Sequence, residues 1–248
     1  MSDSCLPPPP PALLTGAALF VDFDGTLAPI ADTPDGVMVD DDLLALLGHL
    51  GDRLEGRLAI VSGRSVATLR DFGFGEFLLA GTHGLEFAEP GRPVVAPARL
   101  PAIDEAEAAF QTFAAGKSGI LVERKTISVG LHFRGAPQWG REAGDLATKL
   151  ADQFGLALQP GKMLYELRPG GADKGSAVRA LMQRAPMAGG IPIFIGDDVT
   201  DEEGFAAARD LGGAGILVGP TRPTLAAFSL EQVAAVRHYL AQGMAGID

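Results

Sequence analysis

Short apolar segments that alternate with helical stretches are the feature that most constrains how this chain folds. Four of them stand out: Ala17–Val21, Leu58–Val61, Ile191–Ile195 and Gly215–Val218. Continuous apolar runs of this length are typical of parallel strands that are buried on both faces. Stretches with helical spacing separate them, for example Asp41–Leu54, whose first turn carries the acidic residues that favour the start of a helix. The pattern predicts an α/β fold with a doubly wound parallel sheet and helices on both of its faces.

The middle of the chain has a different pattern, which predicts a small second domain. Between helical segments at Pro101–Ala115 and Pro137–Phe154 lie strand-like segments at Gly119–Val122, Ile127–Phe133 and Met163–Leu167. Polar and apolar residues alternate through Ser128–Arg134, as in a sheet with one exposed face. We therefore predict an α+β domain over residues 94–166, inserted into a core of residues 16–93 and 167–248. Residues 1–15, which include five consecutive prolines, are predicted to form a flexible tail.

Composition and charge exclude several classes of function. With 47% hydrophobic residues, the chain can bury a full core, and its net charge of −11 disfavours a nucleic-acid partner. Cys5 is the only cysteine, so an internal disulfide is impossible and a reducing compartment fits. The first residues lack the basic start of a signal peptide, and no uncharged apolar run approaches the roughly 20 residues of a membrane span. We expect a cytoplasmic monomer that binds neither nucleic acid nor membrane.

The first polar cluster follows the first apolar segment directly and reads Asp22-Phe-Asp24-Gly25-Thr26. Ligands of an open parallel sheet bind beyond the carboxyl ends of its strands, so Asp22 at the tip of a strand would face a ligand. Gly25 allows the chain to turn back, and Asp24 can then face the same ligand. One carboxylate can act as nucleophile on phosphorus while the other protonates the leaving oxygen. We therefore interpret the pair as phosphoryl-transfer residues rather than as a helix cap.

A second acidic cluster follows the apolar segment Ile191–Ile195. Residues 197–203 include five acids among seven positions, and these repel one another unless a cation joins them. An all-oxygen ligand set of this kind suits Mg²⁺, which keeps several waters and is completed by substrate phosphate. We assign Asp197 and Asp198 to metal binding, and we interpret Glu202 and Glu203 as first-turn residues of the next helix.

Two further clusters can bind a phosphoryl group. Ser62-Gly63-Arg64 ends the second apolar segment, where a hydroxyl and backbone N–H groups can hold phosphoryl oxygens. Lys174 opens a helix, and a lysine near the positive end of a helix makes sense when an anion lies between them. Each cluster on its own also fits an ordinary helix start or a surface lysine. We predict that Ser62 and Lys174 bind the phosphate and that Arg64 turns towards the ligand.

The four clusters together resemble the haloacid dehalogenase superfamily, whose pattern is DxDGT, then a serine or threonine, then a lysine, then GDxxxD. The resemblance covers the whole core and implies a Rossmann-like sheet. It implies that Asp22 forms an aspartyl-phosphate, and that Asp24 protonates the leaving oxygen and then activates water. It also implies that Mg²⁺ is held by Asp22, the backbone carbonyl of Asp24 and Asp197, with Asp198 or Asp201 in support.

Phrases within and beside the insert are similar to those of the trehalose-6-phosphate phosphatase family. They are Ala80–Glu86, Glu123–Lys125 with Ser128–Arg134, and Glu166–Gly175, which has the family's form ExRPxxxxKG. The resemblance implies a Mg²⁺-dependent phosphatase that hydrolyses trehalose 6-phosphate, the last step of trehalose biosynthesis. A sugar with many hydroxyls calls for side chains that donate and accept hydrogen bonds. The residues expected to contact it are Arg64, His83, Gly84, Glu123, Lys125, Arg134 and Glu166.

Three other functions are open at this point. The first is a phosphatase for another sugar phosphate, of sucrose, glucosylglycerol or mannosylglycerate type. The second is a non-catalytic regulatory domain of the same fold, against which the presence of every motif residue argues. The third is a receiver domain that accepts a phosphoryl group, against which the DxDGT pair and the inserted domain argue.

Overall fold

The computed structural model describes residues 6–31 and 36–245. They form two compact units: the larger consists of the chain up to Val95 and from Ala172 onward, and the smaller is Ala96–Gly171. The smaller unit contains residues 96–166 of the predicted insert. Cys5 and the first five residues of the predicted tail lie outside the described residues.

The helices and strands follow the predicted alternation closely. The strands are β1 (Ala17–Val21), β2 (Leu58–Val61), β3 (Leu78–Gly81), β4 (Glu86–Ala88), β5 (Leu121–Arg124), β6 (Val129–His132), β7 (Ala157–Gly161), β8 (Leu164–Arg168), β9 (Ile191–Gly196), β10 (Ala214–Val218) and β11 (Phe228–Leu230). The α-helices are α1 (Asp41–Arg53), α2 (Val66–Asp71), α3 (Pro101–Ala114), α4 (Gly140–Phe154), α5 (Lys174–Leu181), α6 (Glu202–Asp210) and α7 (Val233–Ala245). Within residues 6–31 and 36–245, no helix is both long enough and apolar enough to cross a membrane.

The larger unit is built on a seven-stranded sheet in the order β11-β10-β9-β1-β2-β3-β4. Neighbouring strands are parallel except β3 and β4, which are antiparallel. β1 is central and lies between β9 and β2, so the carboxyl ends of these three strands meet at one edge. The predicted α/β fold with a parallel sheet is confirmed, with an antiparallel strand added at one side.

Alternate residues of β1 point into two apolar clusters, one on each face of the sheet. Ala17, Leu19 and Val21 belong to a cluster that includes α1 and α7, whereas Ala18 and Phe20 belong to a cluster that includes α5 and α6. Because both faces are covered, every residue of β1 is buried, which explains the unbroken apolar run in the sequence.

Residues 6–15, predicted to be part of a flexible tail, pack against the larger unit instead. The backbone oxygens of Leu6 and Pro7 accept hydrogen bonds from Oγ and N of Ser229, both over 3.0 Å. A 3₁₀ turn follows at Pro11–Leu14, and the side chain of Leu14 is fully buried beside α7. The prediction overlooked that a proline-rich segment, although poor in donors, still offers carbonyl oxygens to an edge strand such as β11.

The smaller unit is an antiparallel sheet in the order β5-β6-β8-β7 with α3 and α4 packed on it. Val129, Leu131 and Leu167 point into the apolar cluster that includes the two helices. Successive side chains of a strand point to opposite faces, so the residues between them form a polar face. The alternation of Ser128–Arg134 in the sequence has this origin.

Candidate active site

Asp22 and Asp197 are brought together by the pairing of β1 with β9. The two strands are parallel neighbours, and the backbone N–H of Asp22 donates to the carbonyl of Ile195 over 2.9 Å. Asp22 follows the last residue of β1 and Asp197 follows the last residue of β9. Both carboxylates therefore extend beyond the edge of the sheet at which ligands bind in folds of this class.

Lys174 joins Asp22 to a further carboxylate, that of Asp201. Its Nζ lies 2.7 Å from Oδ1 of Asp22 and 2.5 Å from Oδ1 of Asp201. All three residues are buried, and Lys174 is only 3% exposed. A surface lysine is thus excluded, and the buried ammonium offsets part of the negative charge of the two carboxylates.

The start of α5 determines the position of Lys174. Asp173 caps the helix, because its Oδ1 accepts from the N–H of Ser176 over 2.6 Å and its own N–H donates to Ser176 Oγ over 2.9 Å. This reciprocal capping box makes Lys174 the first residue of the helix. Gly84 packs against the same helix start, where a Cβ would lie 2.6 Å from the carbonyl oxygen of Asp173.

Burial and mutual repulsion change the pKa values of the cluster. Burial raises the pKa of Asp22 well above its usual range; Lys174 opposes this, and the carboxylates of Asp201 and Asp197 add to it. For Asp197, burial and the charge of Asp201 raise the pKa to about 6. Burial by itself would lower the pKa of Lys174, but attraction to Asp201 and Asp22 outweighs burial and raises it. The site holds more negative charge than one ammonium can offset, which favours a cation there.

Gly25 makes room for the Asp197 carboxylate. A Cβ at position 25 would lie 2.1 Å from Oδ2 of Asp197, and Gly25 has φ = +87°, in the region that favours glycine. The hydroxyl of the next residue, Thr26, donates to Oδ1 of Asp197 over 3.4 Å. The turn after β1 thus carries Asp22 and Asp24 and also receives the carboxylate that follows β9.

Asp22, Asp197 and Asp201 form a group that can hold a metal ion, since one carboxylate oxygen from each lies within 4.8 Å of the others. Of the two supporting residues predicted from the sequence, Asp201 belongs to this group. The side chain of Asp198 instead accepts from the N–H of Val199 over 2.6 Å and caps a short 3₁₀ helix. An all-oxygen set of carboxylates fits a hard divalent cation such as Mg²⁺.

Asp24 pairs with Arg64. The guanidinium donates from Nε to Oδ2 over 2.7 Å and from Nη2 to Oδ1 over 2.8 Å. Its central carbon lies 5.4 Å from the ring centroid of Phe23 and 5.0 Å from that of Phe72. The planar fork of donors of Arg64 thus matches the Asp24 carboxylate, and a contact of Arg64 with a ligand stays a prediction.

A left-handed turn packs His83 against the loop that follows β2. Thr82 and His83 have φ of 46° and 55°, and their N–H groups donate to the carbonyls of Arg64 and Ser62 over 2.8 and 3.0 Å. The imidazole lies so close to Gly63 that a Cβ there would be 2.7 Å from Nε2. Strained backbone of this kind persists where the surrounding structure holds it, and it is concentrated at functional sites.

The polar face of the smaller unit carries a buried carboxylate with two donors. Glu166, which is 2% exposed, accepts from Lys125 Nζ over 2.6 Å and from Ser128 Oγ over 2.7 Å. It stands in one row across the sheet with Glu123, because both pair with Gly130 in the strand between them. The two carboxylates therefore point to the same face.

Two further residues predicted to bind sugar belong to the smaller unit. Glu123 Oε2 lies 2.8 Å from Nε2 of His132, the last residue of β6. Arg134 follows β6, and its Nη2 donates to the carbonyl of Lys162 over 3.4 Å. His132 and Ser128 are partners that sequence reasoning assigned no role of their own, although both lie in the alternating stretch that it identified.

Comparison with known proteins identifies the family. A model of the trehalose-phosphatase family matches residues 20–234. The chain belongs to the trehalose-phosphatase family. It is 39% identical over 228 residues to a probable trehalose-phosphate phosphatase of Sinorhizobium fredii, covering 90% of this chain and 86% of that one. It is 37% identical over 233 residues to trehalose-6-phosphate phosphatase of Escherichia coli, covering 93% and 87%.

The structural likeness agrees with this family. The C-terminal domain of trehalose-6-phosphate phosphatase of C. albicans matches with a TM-score of 0.82 over 98% of this chain and 99% of that one; at 24% identity the match shows the fold. The predicted haloacid dehalogenase-like fold and the prediction of a phosphatase are both confirmed for this member of the trehalose-phosphatase family.

Sequence reasoning on this trehalose-phosphatase family member missed the contacts of Arg222 with the acidic turn after β9. Its guanidinium donates to Glu202 and, from Nη2, to the carbonyl of Asp198 over 2.7 Å. Glu202 also accepts from the N–H of Leu225 over 2.7 Å. The loop between β10 and β11 thereby braces the acidic turn after β9. No motif marks Arg222, because an isolated arginine in a loop gains this meaning only from contacts distant in sequence.

Proposed function

We propose that the chain hydrolyses trehalose 6-phosphate to trehalose and phosphate, with Mg²⁺ and through an aspartyl-phosphate on Asp22. The observation that carries this proposal is the buried contact between Lys174 and Asp22, beside Asp197 at the carboxyl edge of the sheet. The choice of sugar is supported by the family and by relatives named as trehalose-phosphate phosphatases. The reaction would be the last step of trehalose biosynthesis.

In the first step, a carboxylate oxygen of Asp22 attacks phosphorus, and the bond from phosphorus to the sugar oxygen breaks. Asp24 gives a proton to that oxygen, so trehalose leaves as a neutral alcohol while Asp22 carries the phosphoryl group. Ser62 and Lys174 hold the phosphoryl oxygens as negative charge develops on them. The position of Asp22 at the tip of a buried strand holds the nucleophile in one place.

In the second step, a water molecule attacks the phosphorus of the aspartyl-phosphate, and Asp24 accepts its proton. The bond from phosphorus to Asp22 breaks, inorganic phosphate leaves and the carboxylate is regenerated. One water molecule is consumed for each ester, and Asp24 ends the cycle protonated, as it began.

The residues that would hold Mg²⁺ are Asp22, the backbone carbonyl of Asp24 and Asp197, with Asp201 in support. When bound, the ion stabilises the negative charge on the phosphoryl oxygens as a Lewis acid. The surplus of buried carboxylates over the ammonium of Lys174 supports this assignment.

The sugar hydroxyls are assigned, as the resemblance to the family implies, to His83, Gly84, Glu123, Lys125, Arg134 and Glu166. The contacts of Glu166 support this assignment. Lys125 and Ser128 hold both of its carboxylate oxygens in place, so Glu166 presents a fixed acceptor for a hydroxyl.

The substrate is tested by phosphate release in Mg²⁺ from trehalose 6-phosphate and from phosphates of sucrose, glucosylglycerol and mannosylglycerate. We expect kcat/KM to be at least about tenfold higher for trehalose 6-phosphate, a margin that a site built around hydroxyl contacts can provide. A higher value for another ester would overturn the choice of sugar.

The intermediate is tested by acid quenching during turnover and mass spectrometry of the peptide that contains Asp22. We expect this peptide to gain the mass of one phosphoryl group, and we expect Asp22→Asn to abolish both the modification and turnover. Asp42→Asn, a change of an exposed acid on α1, serves as the control and should keep both. Turnover by Asp22→Asn would refute the role of Asp22 as the nucleophile. Turnover in excess EDTA would refute the requirement for a metal ion.

A further inference from the structure

We propose that Arg99 is a positioning residue for sugar recognition, because it fixes the turn between β5 and β6. That turn, residues 125–128, carries the two donors that hold Glu166. The inference rests on the proposed function, in which Glu166 accepts a hydrogen bond from a sugar hydroxyl. Arg99 lies just before α3 and outside the phrases that are similar to the family. It acts through the turn and does not touch the sugar.

Arg99 binds the turn through main-chain oxygens. Its Nη1 donates to the carbonyl oxygen of Lys125 over 2.7 Å and to that of Ser128 over 3.1 Å. A third carbonyl oxygen, that of Thr126, lies 3.4 Å from the same nitrogen. Carbonyl oxygens that converge on one place carry partial negative charges and repel one another, so a guanidinium among them favours this shape of the turn.

The other two nitrogens of the Arg99 guanidinium are held by α3. Nε donates to Oδ1 of Asp104 over 2.8 Å, and Nη2 donates to Oε2 of Glu107 over 2.7 Å. The two acids lie one turn apart on the helix, which packs into the apolar cluster of the smaller unit through Ile103 and Phe110. The guanidinium, with its side chain 15% exposed, therefore ties a packed helix to the turn.

The turn supplies a donor to each oxygen of the Glu166 carboxylate. Lys125 at its start donates from Nζ over 2.6 Å, and Ser128 at its end donates from Oγ over 2.7 Å. The turn contains neither glycine nor proline, so its own residues do not fix its shape. Ile127 anchors the turn by burial, but burial of an apolar side chain is non-directional and leaves the aim of the two donors to polar contacts. Arg99 supplies those contacts.

Loss of Arg99 is expected to weaken recognition of the sugar and to spare the phosphoryl chemistry. For Arg99→Gln we expect KM for trehalose 6-phosphate to rise about threefold to tenfold, with kcat within about twofold of wild type. Both constants for p-nitrophenyl phosphate, which has no sugar, should match wild type. Arg99→Lys keeps the charge but loses the fork of donors, so a smaller rise in KM is expected. If Arg99→Gln does not fold, as judged by circular dichroism, Arg99→Lys carries the test, and an unchanged KM in it refutes the inference.

A double variant tests whether Arg99 acts through Glu166. We expect Glu166→Gln alone to raise KM for trehalose 6-phosphate about tenfold or more. Adding Arg99→Gln should raise it by less than about twofold again, because the two changes disable one unit. A rise in the double variant equal to the product of the two single effects would refute the inference, since independent contacts add in free energy.

The single variants distinguish failure of the inference from failure of the proposed function. If Glu166→Gln raises KM for trehalose 6-phosphate and Arg99→Gln does not, the inference is refuted while the proposed function stands. If Glu166→Gln leaves KM unchanged, the role of Glu166 in sugar binding fails, and the inference fails with it.

Two controls separate positioning of the turn from general support of the fold. Arg124→Gln removes an exposed guanidinium that pairs with Asp104 at 3.3 Å and also with Glu107, and it leaves the contacts of Arg99 with the turn in place. Ile103→Val removes one carbon from the buried side of α3, so it lowers stability without changing the turn. We expect both controls to keep KM for trehalose 6-phosphate within about twofold of wild type. A rise in either control equal to that of Arg99→Gln would refute the inference, because it would assign the effect to α3 or to the stability of the unit.

Discussion

Oδ2 of Asp197 lies 2.1 Å from the place that the Cβ of any residue other than glycine would take at position 25. The turn after β1 and the turn after β9 can therefore meet only because Gly25 has no side chain. This close approach brings the carboxylate of Asp197 to the group that includes Asp22 and Asp201.

We expect Gly25→Ala to lose most of its activity. The added methyl group would displace Asp197, and shifts of about 1 Å at an active site can cost about a hundredfold in rate. Alanine at φ = +87° should also lower the free energy of unfolding by roughly 1–2 kcal/mol. Gly16→Ala is the control, because Gly16 has φ = +69° and no atom within 4 Å of its added Cβ. It should show the loss of stability and keep kcat; equal kcat losses in both variants would contradict the steric argument.

We expect Lys174→Met to lower both kcat and the stability of the metal-free protein. It leaves Asp22 and Asp201 buried without their shared partner, which should cost about 3 kcal/mol in the free energy of unfolding. Loss of a charge that stabilises the phosphoryl group should lower kcat by about a hundredfold or more. Urea unfolding in EDTA and steady-state kinetics measure the two effects. Lys149→Met, on the exposed side of α4, should change neither, and an unchanged kcat in Lys174→Met would refute the role of Lys174.

We expect Glu166→Gln to raise KM for trehalose 6-phosphate and to leave KM for p-nitrophenyl phosphate unchanged. Glutamine keeps the size of the side chain, but it weakens the contacts with Lys125 and Ser128 and removes a charged acceptor for hydroxyls. Hydrogen bonds to charged groups are worth about 1.5–3 kcal/mol, so a rise in KM of about tenfold or more is expected. Glu142→Gln, an exposed change in the same unit, is the control. Equal changes with both substrates would argue against sugar binding by Glu166.

We expect the stabilising effect of Asp40 to disappear in acid. Asp40 accepts from the N–H of Leu43 at the start of α1 and from Arg237 of α7, and the hydrogen bond with Arg237, followed by that with Leu43, lowers its pKa. A carboxyl group whose pKa is lower in the folded chain than in the unfolded chain stabilises the fold. This contribution is fully present above the unfolded-state pKa of about 4, and it is lost as the pH falls through the lowered pKa of the folded chain. Asp40→Ala should therefore cost about 1 kcal/mol at pH 7, as expected for a lost cap.

Thermal unfolding from neutral pH downward checks this dependence. The difference between wild type and Asp40→Ala should shrink steadily below a pH of about 4. Asp42→Ala removes a nearby exposed acid from the same helix and should have a smaller effect at neutral pH. A difference that stays constant with pH would assign the effect of Asp40 to packing rather than to its charge.

Much of the core could be predicted from local patterns. β1, β2, β9 and β10 are recognisable because burial on both faces requires apolar residues at every position. The acids that follow β1 and β9 were expected to share an edge, because parallel strands end at the same side of a sheet. Lys174 was linked to an anion because its place at a helix start is otherwise unfavourable.

Other features left no local signal. The short strands β3, β4, β7 and β11 depend on their neighbours for hydrogen bonds, so their own residues do not identify them. Asp201, rather than Asp198, belongs to the group of carboxylates that can hold a metal ion, because the side chain of Asp198 caps the short 3₁₀ helix after β9. Likewise, a guanidinium reaches several partners, and only the folded positions of Phe23 and Phe72 bring Arg64 to Asp24.

The order and spacing of the four clusters determined the family, the class of chemistry and the strands that carry it, since these depend on residue type and on local hydrogen bonding. The tertiary structure alone decided which carboxylates form a group that can hold a metal ion, which arginine pairs with Asp24 and where Arg222 contacts the acidic turn. Each of these depends on distances of a few ångströms between residues tens to hundreds of positions apart. Local propensities do not encode such distances, because they arise only when the whole sheet has assembled.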